Sequence, residues 1–331
     1  MSHRAIALLS GGLDSTLAVR LILDQGLKVE ALNFVTPFCT CNRQGRCEAR
    51  AVAEQLGIAI QTIPVIEPLF EAIKSPKHGY GSGMNPCLDC RILMFTRARE
   101  RLQEIGADFV FTGEVLGQRP MSQHLRAMRL IDAESGLTDR VLRPLSAKLL
   151  PPTYPERAGI VRREKLLAIH GRSRKEQISL AGRYHLTDYP CPAGGCRLTD
   201  PGFSRRMRDL ATHTPDFDLN DVNLLRIGRH FRLSPACKVV VGRDEEENRT
   251  LRMLARSGDA LLEVPGVGSP LTLLRGEALS NDLETAAAIT ARYSDAVGVD
   301  IVVAYGPAEG DLDQKMCLHP IEEAQLAVLR V

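Results

Sequence analysis

The chain has 331 residues, enough for two or three domains, and its 44% hydrophobic and 25% charged content is typical of a globular protein. No apolar run approaches the ~18 residues that a membrane-spanning helix needs, and the first apolar run is too short for a signal peptide. We therefore expect a cytoplasmic protein with no membrane partner. Its nine cysteines are expected to serve as metal ligands or reactive thiols rather than as disulfides.

The net charge of +2 is unevenly distributed along the chain. Residues 151–210 hold 12 Lys and Arg against 6 Asp and Glu, whereas residues 211–331 hold 12 against 19. The basic middle is either a solvated helix face or a surface for a polyanion such as tRNA. We take Arg205, Arg206 and Arg208 as candidate RNA-binding residues.

The first predicted elements enclose a glycine-rich turn. In "AIALLSGGLDST", residues 5–9 predict a buried strand, and residues 15–23 carry apolar side chains at helical spacing. Residues 10–15 therefore form a tight turn before a helix, where backbone N–H groups and the helix dipole suit a phosphate. The two glycines let the backbone approach the anion closely, and the two serine hydroxyls add donors.

Strand and helix patterns alternate through the rest of the first half. We predict strands at 28–35, 59–65, 108–112 and 140–144, and helices at 47–56 and 90–105. Gly57 and Gly106 follow the two helices as C-terminal caps. This alternation predicts an α/β fold, in which a parallel sheet with helices on both faces binds its ligand at the carboxyl ends of the strands.

The second half of the chain has a different pattern of predicted elements. A proline-rich stretch at 149–159 marks a boundary. After it we predict one or two helices at 160–183, a basic helix at 200–210 and, from about residue 215, short strands with a helix at 284–293. We divide the chain into an ATP-binding domain at 1–150, a basic helical linker with a cysteine loop at 151–212, and a smaller α+β domain at 213–331.

The glycine-rich turn resembles a known motif. Ser10-Gly11-Gly12-Leu13-Asp14-Ser15 is similar to the SGGxDS motif of the ATP pyrophosphatases, the PP-loop family. The resemblance implies an adenine nucleotide α-hydrolase-like fold and cleavage of ATP between its α and β phosphates. It also implies that the loop holds pyrophosphate while a substrate oxygen takes the adenylyl group, and that Asp14 places magnesium or the phosphates.

Three cysteines have a spacing that suits a metal. Cys87 and Cys90, in "NPCLDC", lie three residues apart at a predicted helix start, where the helix dipole favours thiolates. Cys196 follows two glycines in a later loop, with Cys191 as its competitor. A CxxC pair with one distant cysteine suits an iron–sulfur cluster, whereas a closed zinc site would need both later cysteines. An inert buried pair remains the structural alternative.

A second resemblance covers roughly residues 4–150. "TGEVLGQRPMSQHLRAMRLID" at 112–132, followed by "VLRPLSAK", resembles the adenine-side segment of tRNA 4-thiouridine synthases, and "NPCLDC" is similar to tRNA 2-thiouridylases. This resemblance implies that Gly113 and Gln118 bind the nucleotide.

The same resemblance implies roles for the cysteines. In cluster-bearing members three cysteines hold three irons and the fourth iron carries sulfide, which implies Cys87, Cys90 and Cys196 as ligands of a 4Fe–4S cluster. In cluster-free members two cysteines form a persulfide carrier and a resolving thiol, which implies Cys90 and Cys196.

The remaining cysteine group and the last domain give less specific predictions of function. Cys39, Cys41 and Cys47 form a group suited to zinc, although no fourth ligand is evident, or else are plain thiols on the ATP side. "FRLSPACKVVVGRDEEENRTLRML" is similar to the RNA-binding domain of NFACT proteins, and its acidic surroundings argue against a main phosphate-binding surface. We expect neither an N-terminal RNA-binding extension nor a C-terminal rhodanese-like domain.

Together these features predict an ATP-dependent tRNA sulfurtransferase. A uridine oxygen attacks the α-phosphate, with magnesium and Asp14 at the phosphates, and a sulfur nucleophile at Cys90 and Cys196 then expels AMP. Sulfide or a persulfide carrier such as a cysteine desulfurase would supply the sulfur. Two alternatives remain: a PP-loop ligase resembling 7-cyano-7-deazaguanine synthases, which hold zinc with four cysteines, and an RNA-binding quality-control factor that only senses ATP.

Overall fold

The computed structural model describes residues 3–40, 42–43, 46–186 and 195–331, with the backbone alone for residues 42, 43, 46 and 47. Cys41, Cys191 and the side chain of Cys47 therefore lie outside the described residues. The chain forms two compact units, Met1–Asp200 and Pro201–Val331.

The segment after residue 150 is bound to the N-terminal unit by backbone hydrogen bonds. The amide of Ile169 donates to the carbonyl of Leu145 at 2.8 Å, and that of Arg197 donates to Phe38 at 2.8 Å. The division after Asp200 thus differs from the predicted boundaries after residues 150 and 212, and the three-part organisation stays a prediction.

The N-terminal unit alternates strands and helices, as the sequence predicts. In chain order they are β1 (Arg4–Leu8), α1 (Leu13–Leu23), β2 (Lys28–Val35), β3 (Asn42–Arg43), β4 (Arg46–Cys47), α2 (Glu48–Gln55), β5 (Ala59–Pro64), α3 (Glu67–Lys74), α4 (Cys87–Ile105), β6 (Phe109–Thr112), α5 (Leu125–Glu134), β7 (Val141–Leu142), α6 (Tyr154–Arg157) and α7 (Lys175–Arg183).

Five of these strands form one parallel sheet in the order β5-β2-β1-β6-β7. Side chains alternate between its faces, so that Ala5 and Ala7 of β1 pack with α1 and α2, whereas Ile6 packs with Phe95 of α4 and Ile131 of α5. Both faces are therefore covered by helices, and the predicted α/β fold class is confirmed.

One helix prediction was only partly right. Within 160–183 the described α-helix is α7, preceded by a 3-10 turn at Arg163–Lys165. The apolar residues between them lie in an extended segment, in which Leu167 donates its amide to the Pro144 carbonyl at 2.9 Å. Long-range backbone pairing thus replaces the helix that the local spacing of apolar residues favours.

The C-terminal unit is an α+β structure. Its elements are α8 (Pro201–His213), α9 (Leu219–Leu224), β8 (Arg229–Ser234), β9 (Cys237–Val241), α10 (Glu245–Leu254), β10 (Ala260–Glu263), β11 (Thr272–Gly276), α11 (Ser280–Arg292), β12 (Ile301–Pro307), β13 (Gln314–Leu318) and α12 (Glu323–Leu329). The six strands form an antiparallel sheet in the order β13-β12-β10-β11-β9-β8. Val239 and Val241 pack towards α11, and Val240 packs on the opposite face with Leu251 of α10.

None of the helices in the described parts of the chain is both long enough and apolar enough to cross a membrane.

A buried ionic network links the ends of β6 and β7 to α5. Arg143, 4% exposed, follows β7 and donates to Glu114 Oε2 at 3.0 Å and to both carboxylate oxygens of Asp132 at 2.8 and 2.9 Å. Glu114 is also buried, and its other oxygen lies 3.6 Å from Arg91. Removal of the guanidinium would take from Asp132 its guanidinium partner and leave Glu114 with only the longer contact to Arg91.

We therefore expect Arg143→Met to destabilise the N-terminal unit by about 3–5 kcal/mol, the cost of breaking a buried ion pair. Hydrogen exchange of the β6 amides, followed by mass spectrometry, measures the free energy of opening of this unit. Arg157→Met is the matched control, because Arg157 pairs with Asp139 at an exposed position where ion pairs contribute little. Equal losses in the two variants would contradict the role given to Arg143.

Candidate functional site

A cavity of about 310 Å³ opens at the carboxyl edge of the parallel sheet. It is lined by the ends of β1 and β2 and by the segment Thr112–Glu114 that follows β6. Because the chain leaves β1 towards β2 on one side and β6 lies on the other, this edge is the point at which the strand order reverses. Open α/β sheets bind their ligands at such points.

The glycine-rich turn forms one wall of this cavity. Gly12 is the N-cap of α1, so the first N–H groups of the helix face the cavity with no capping side chain at that position. Ser10 and Ser15 also line it, and their hydroxyl oxygens lie 3.2 Å apart. The wall therefore presents the donors expected for a phosphate.

Two glycines are required by close backbone packing around the turn. Gly11 has a positive φ of 79°, and a Cβ there would lie 2.7 Å from the Ala49 nitrogen at the start of α2. A Cβ at Gly113 would lie 2.4 Å from the Ser15 nitrogen. Gly11 therefore lets α2 pack on the turn, and Gly113 lets the strand end of β6 approach α1.

Asp14 lies at the phosphate end of the cavity, held by two neighbours. Gln118 Nε2 donates to Asp14 Oδ2 at 3.0 Å, and Arg174 Nη2 lies 3.6 Å from the same oxygen. Burial raises the pKa of Asp14, against the opposing effects of Gln118 and Arg174. Its second oxygen, Oδ1, is buried and has no hydrogen-bond partner among the described residues. This orphaned oxygen is a fitting ligand for magnesium that accompanies a nucleotide.

Arg174 is a cavity residue that the sequence analysis did not single out. It is the N-cap of α7, lines the cavity, and has a side chain that is 19% exposed. Its Nη1 is buried with no hydrogen-bond partner in the part of the chain that the structure describes. The sequence signal was the basic tract at 172–175, which is read more readily as a surface for RNA. In the structure, the Arg174 guanidinium instead places a buried hydrogen-bond donor in the same cavity as the glycine-rich turn.

Four cysteines also line this cavity, namely Cys39, Cys87, Cys90 and Cys196, and the part of the wall that they form is called the cysteine end. Cys87 and Cys90 lie in the first turn of α4, which begins three residues earlier than predicted because the Cys90 amide donates to the Pro86 carbonyl at 2.8 Å. The three predicted cluster ligands, Cys87, Cys90 and Cys196, thus line one cavity, and Cys39 lines it as well.

Backbone pairing explains how Cys39 reaches this site. Cys39 and Cys196 face each other in an isolated antiparallel β-bridge. The amide of Thr40 donates to the Gly195 carbonyl at 3.3 Å, and the Met84 amide before α4 donates to Leu198 at 3.1 Å. The loop after β2, the start of α4 and the later cysteine loop therefore meet. The zinc group predicted for Cys39, Cys41 and Cys47 is not tested, since the latter two side chains lie outside the described residues.

The thiols are less acidic than the sequence predicts. Desolvation raises the pKa of Cys90 to about 12 and that of Cys196 to about 11, and the neighbouring cysteines add to both shifts. Arg91 and Arg119 oppose these shifts only in part. The position at the helix N-terminus is expected to favour the thiolate, and burial of Cys90 acts on its pKa in the opposite direction.

In the described parts of the chain, no three Cys, His, Asp or Glu side chains are grouped so as to hold a single metal ion. Tetrahedral zinc requires sulfurs that converge on one atom at about 2.3 Å, whereas a four-iron cluster distributes its ligands over different irons.

The three arginines predicted to bind RNA lie on α8 of the C-terminal unit. Arg205 and Arg208 are exposed, whereas Arg206 is half-buried with its guanidinium 5.9 Å from the ring centre of Phe203. Arg205 and Arg208 are therefore accessible to a polyanion in solution.

Comparison with known proteins divides the chain similarly. Residues 1–148 match the family model of the thiamine biosynthesis protein (ThiI), and residues 228–329 match the NFACT protein RNA binding domain. A curated relative, the tRNA-specific 2-thiouridylase MnmA of Bartonella quintana, is 28% identical in an alignment of 146 residues, with 40% of this chain and 36% of the relative covered. The chain spans about a third of the length of the curated relatives it matches.

Two solved structures overlap with this one in part. A 4-thiouridine synthetase–RNA complex with bound ATP is 22% identical, covering 67% of this chain and 52% of that one, with a TM-score of 0.37. The U34-tRNA thiolase NcsA from Methanococcus maripaludis, solved with its 4Fe–4S cluster, is 15% identical, covering 68% and 72%, with a TM-score of 0.33. The family models and the curated relative confirm the family likeness seen in the sequence motifs: residues 1–148 resemble the PP-loop proteins of tRNA thiolation, and residues 228–329 resemble the NFACT RNA-binding domain.

Proposed function

We propose that the protein is an ATP-dependent tRNA sulfurtransferase that thiolates a uridine through an adenylated intermediate and releases AMP and pyrophosphate. One observation carries the proposal: a phosphate-type turn and four cysteines line a single cavity. Adenylation and sulfur transfer on one base require both groups within reach of that base. The family likeness and the tRNA-thiolating relatives support the choice of substrate.

The activation step belongs to the phosphate end of the cavity. ATP binds with its phosphates against the N–H groups of α1 and the hydroxyls of Ser10 and Ser15. A uridine oxygen, from a base extruded from its stack, attacks the α-phosphate, and pyrophosphate leaves. Arg174 stabilises the charge that develops on the leaving group, with its unpartnered Nη1 as the donor.

The same end fits magnesium. Asp14 would hold the ion through its orphaned Oδ1, while Gln118 keeps the other oxygen in place. When bound, magnesium neutralises phosphate charge. A PP-loop role for Ser10, Gly11, Gly12, Gly113 and Ser15 follows from their place in or directly beside the turn.

The sulfur step belongs to the cysteine end. Cys87, Cys90 and Cys196 would hold a 4Fe–4S cluster, which supplies an iron without a protein ligand to carry sulfide. Arg91 and Arg119 lie close enough to lower the thiol pKa values, so they also favour an anionic sulfur at this end. Displacement of AMP by that sulfur completes the thiouridine.

Burial raises the pKa of Cys90 and Cys196, and a cluster and a persulfide carrier both require these thiols to lose their protons. Iron binding removes the thiol proton, so protonated cysteines can still be ligands. Proton release also means that cluster assembly strengthens as the pH rises.

A zinc-holding PP-loop ligase is the second candidate, favoured by one observation. The structure brings four cysteines to the cavity, the number that a structural zinc site uses. Metal analysis of the purified protein separates the two candidates.

We predict that protein purified without oxygen binds iron and acid-labile sulfide, and that Cys87→Ser, Cys90→Ser and Cys196→Ser each abolish both. Cys317→Ser, on the exposed strand β13, is the control and keeps both. Zinc in place of iron would support the ligase. Iron retained by Cys196→Ser but lost by Cys191→Ser would overturn the choice of the third ligand.

Arg174→Met should slow pyrophosphate release in the presence of tRNA on the order of 10²-fold, the scale of removing one group that stabilises developing charge. The matched control is Arg172→Met, two residues away, where the side chain is exposed and outside the cavity. Equal rates for the two variants would remove Arg174 from the phosphate site. Absence of pyrophosphate release from the unaltered protein would favour an ATP-sensing RNA-binding factor.

tRNA binding should be strongly salt-dependent, and Arg205→Gln with Arg208→Gln should flatten the slope of log affinity against log salt. The expected change is about 0.7–0.9 for each phosphate group that the variant ceases to neutralise. Arg206 is left in place because it packs on Phe203. Arg249→Gln, an exposed change on α10, is the control. An unchanged slope in the double variant, or a flatter slope in the control, would move the RNA surface away from α8.

A further inference from the structure

Cys39 is the one of the four cavity thiols to which the proposed cluster gives no role. It is half-buried and directly opposite Cys196 in the antiparallel β-bridge. None of the six cysteines whose side chains are described takes part in a disulfide. The position of Cys39 therefore raises the question of what a fourth thiol does beside a proposed ligand.

The hydrogen bonds around the bridge define the geometry of this pair. The amide of Thr40 donates to the Gly195 carbonyl, and that of Arg197 donates to the Phe38 carbonyl. These two bonds flank Cys39 and Cys196 rather than joining them, so the pair is of the non-hydrogen-bonded type. In such pairs the Cα atoms lie about 4.5 Å apart and the side chains leave the same face.

This separation suits a disulfide. Disulfides join residues whose Cα atoms are about 4.4–6.8 Å apart, so bridging Cys39 and Cys196 requires little backbone movement. The backbone is also held in register by the Thr40 hydroxyl, which accepts from the Gly195 amide at 3.0 Å and donates to its carbonyl at 2.9 Å. The two cysteines thus lie opposite each other on backbone segments that hydrogen bonds hold in register.

We propose that Cys39 and Cys196 form a reversible disulfide that closes the sulfur site to iron. The oxidant is a small disulfide of the glutathione class. The Cys196 thiolate attacks the oxidant to give a mixed disulfide and one thiol; the Cys39 thiolate then attacks the Cys196 sulfur and releases the second thiol. Two protein thiols lose two protons and two electrons, and one small disulfide becomes two thiols.

The consequence for iron rests on the proposed function. With Cys196 in the disulfide, Cys87 and Cys90 are the thiols of the described cavity wall that remain available. Two ligands are fewer than the three that a site-differentiated cluster requires. Oxidation would thus remove the third ligand of the proposed cluster, and a dithiol would restore it.

The test uses full-length protein purified without metal, oxidised anaerobically with glutathione disulfide and mapped by peptide mass spectrometry after alkylation. We expect a Cys39–Cys196 peptide, absence of iron uptake by the oxidised protein, and recovery of iron uptake after dithiothreitol. In Cys39→Ser the reaction should stop at a mixed disulfide of glutathione with Cys196. Cys317→Ser is the control and should form the same protein disulfide as the unaltered chain.

A disulfide from Cys196 to any other cysteine, or glutathione retained on Cys196 in the unaltered chain, would overturn the pairing. Iron uptake by protein that carries the Cys39–Cys196 disulfide would overturn the closure of the site. Both readouts are independent of thiolation. If the reduced protein takes up iron and thiolates tRNA but fails to form this disulfide, the proposed function stands and this inference fails. If the protein forms the disulfide but does not thiolate tRNA when reduced and loaded with iron, the inference of the disulfide stands and the proposed function fails.

Discussion

The reversal of strand order between β1 and β6 is the constraint on which the candidate site depends. At this point the chain after β1 turns into α1 on one side, and the segment after β6 crosses close to it, with Gly113 packed on the Ser15 backbone. The resulting cavity receives backbone N–H groups from α1 and side chains from later segments. A parallel sheet with both faces covered keeps this edge free for a ligand.

Burial then sets the chemistry at the two ends of the cavity. At the phosphate end, desolvation leaves Asp14 Oδ1 and Arg174 Nη1 without partners among the described residues, and a magnesium–nucleotide complex would satisfy both. At the cysteine end, desolvation raises the pKa of Cys90 and Cys196, and iron would displace their protons. Ligand binding at either end therefore relieves a cost that folding imposes.

The sequence predicts the features of the site that depend on local signals. The strand, turn and helix around Ser10–Ser15 carry apolar periodicity and paired glycines, and the CxxC of α4 is contained in four residues. The meeting of Cys39 with Cys196 and the position of Arg174 were not predicted, because they depend on pairing over long distances along the chain: the Thr40–Gly195 hydrogen bond spans 155 residues. The effect of burial on the Cys90 pKa was not predicted for the same reason, since desolvation arises from tertiary packing.

The central claim is that the phosphate-type turn and the cysteines act on one base in one reaction. The most direct measurement combines reconstituted protein, ATP, sulfide and tRNA, and counts thiouridine by nucleoside mass spectrometry alongside AMP and pyrophosphate. We expect one AMP and one pyrophosphate for each thiouridine formed, with none of the three in the absence of tRNA. Thiouridine formed without ATP cleavage, or AMP and pyrophosphate formed without thiouridine, would contradict the coupling of the two ends of the cavity.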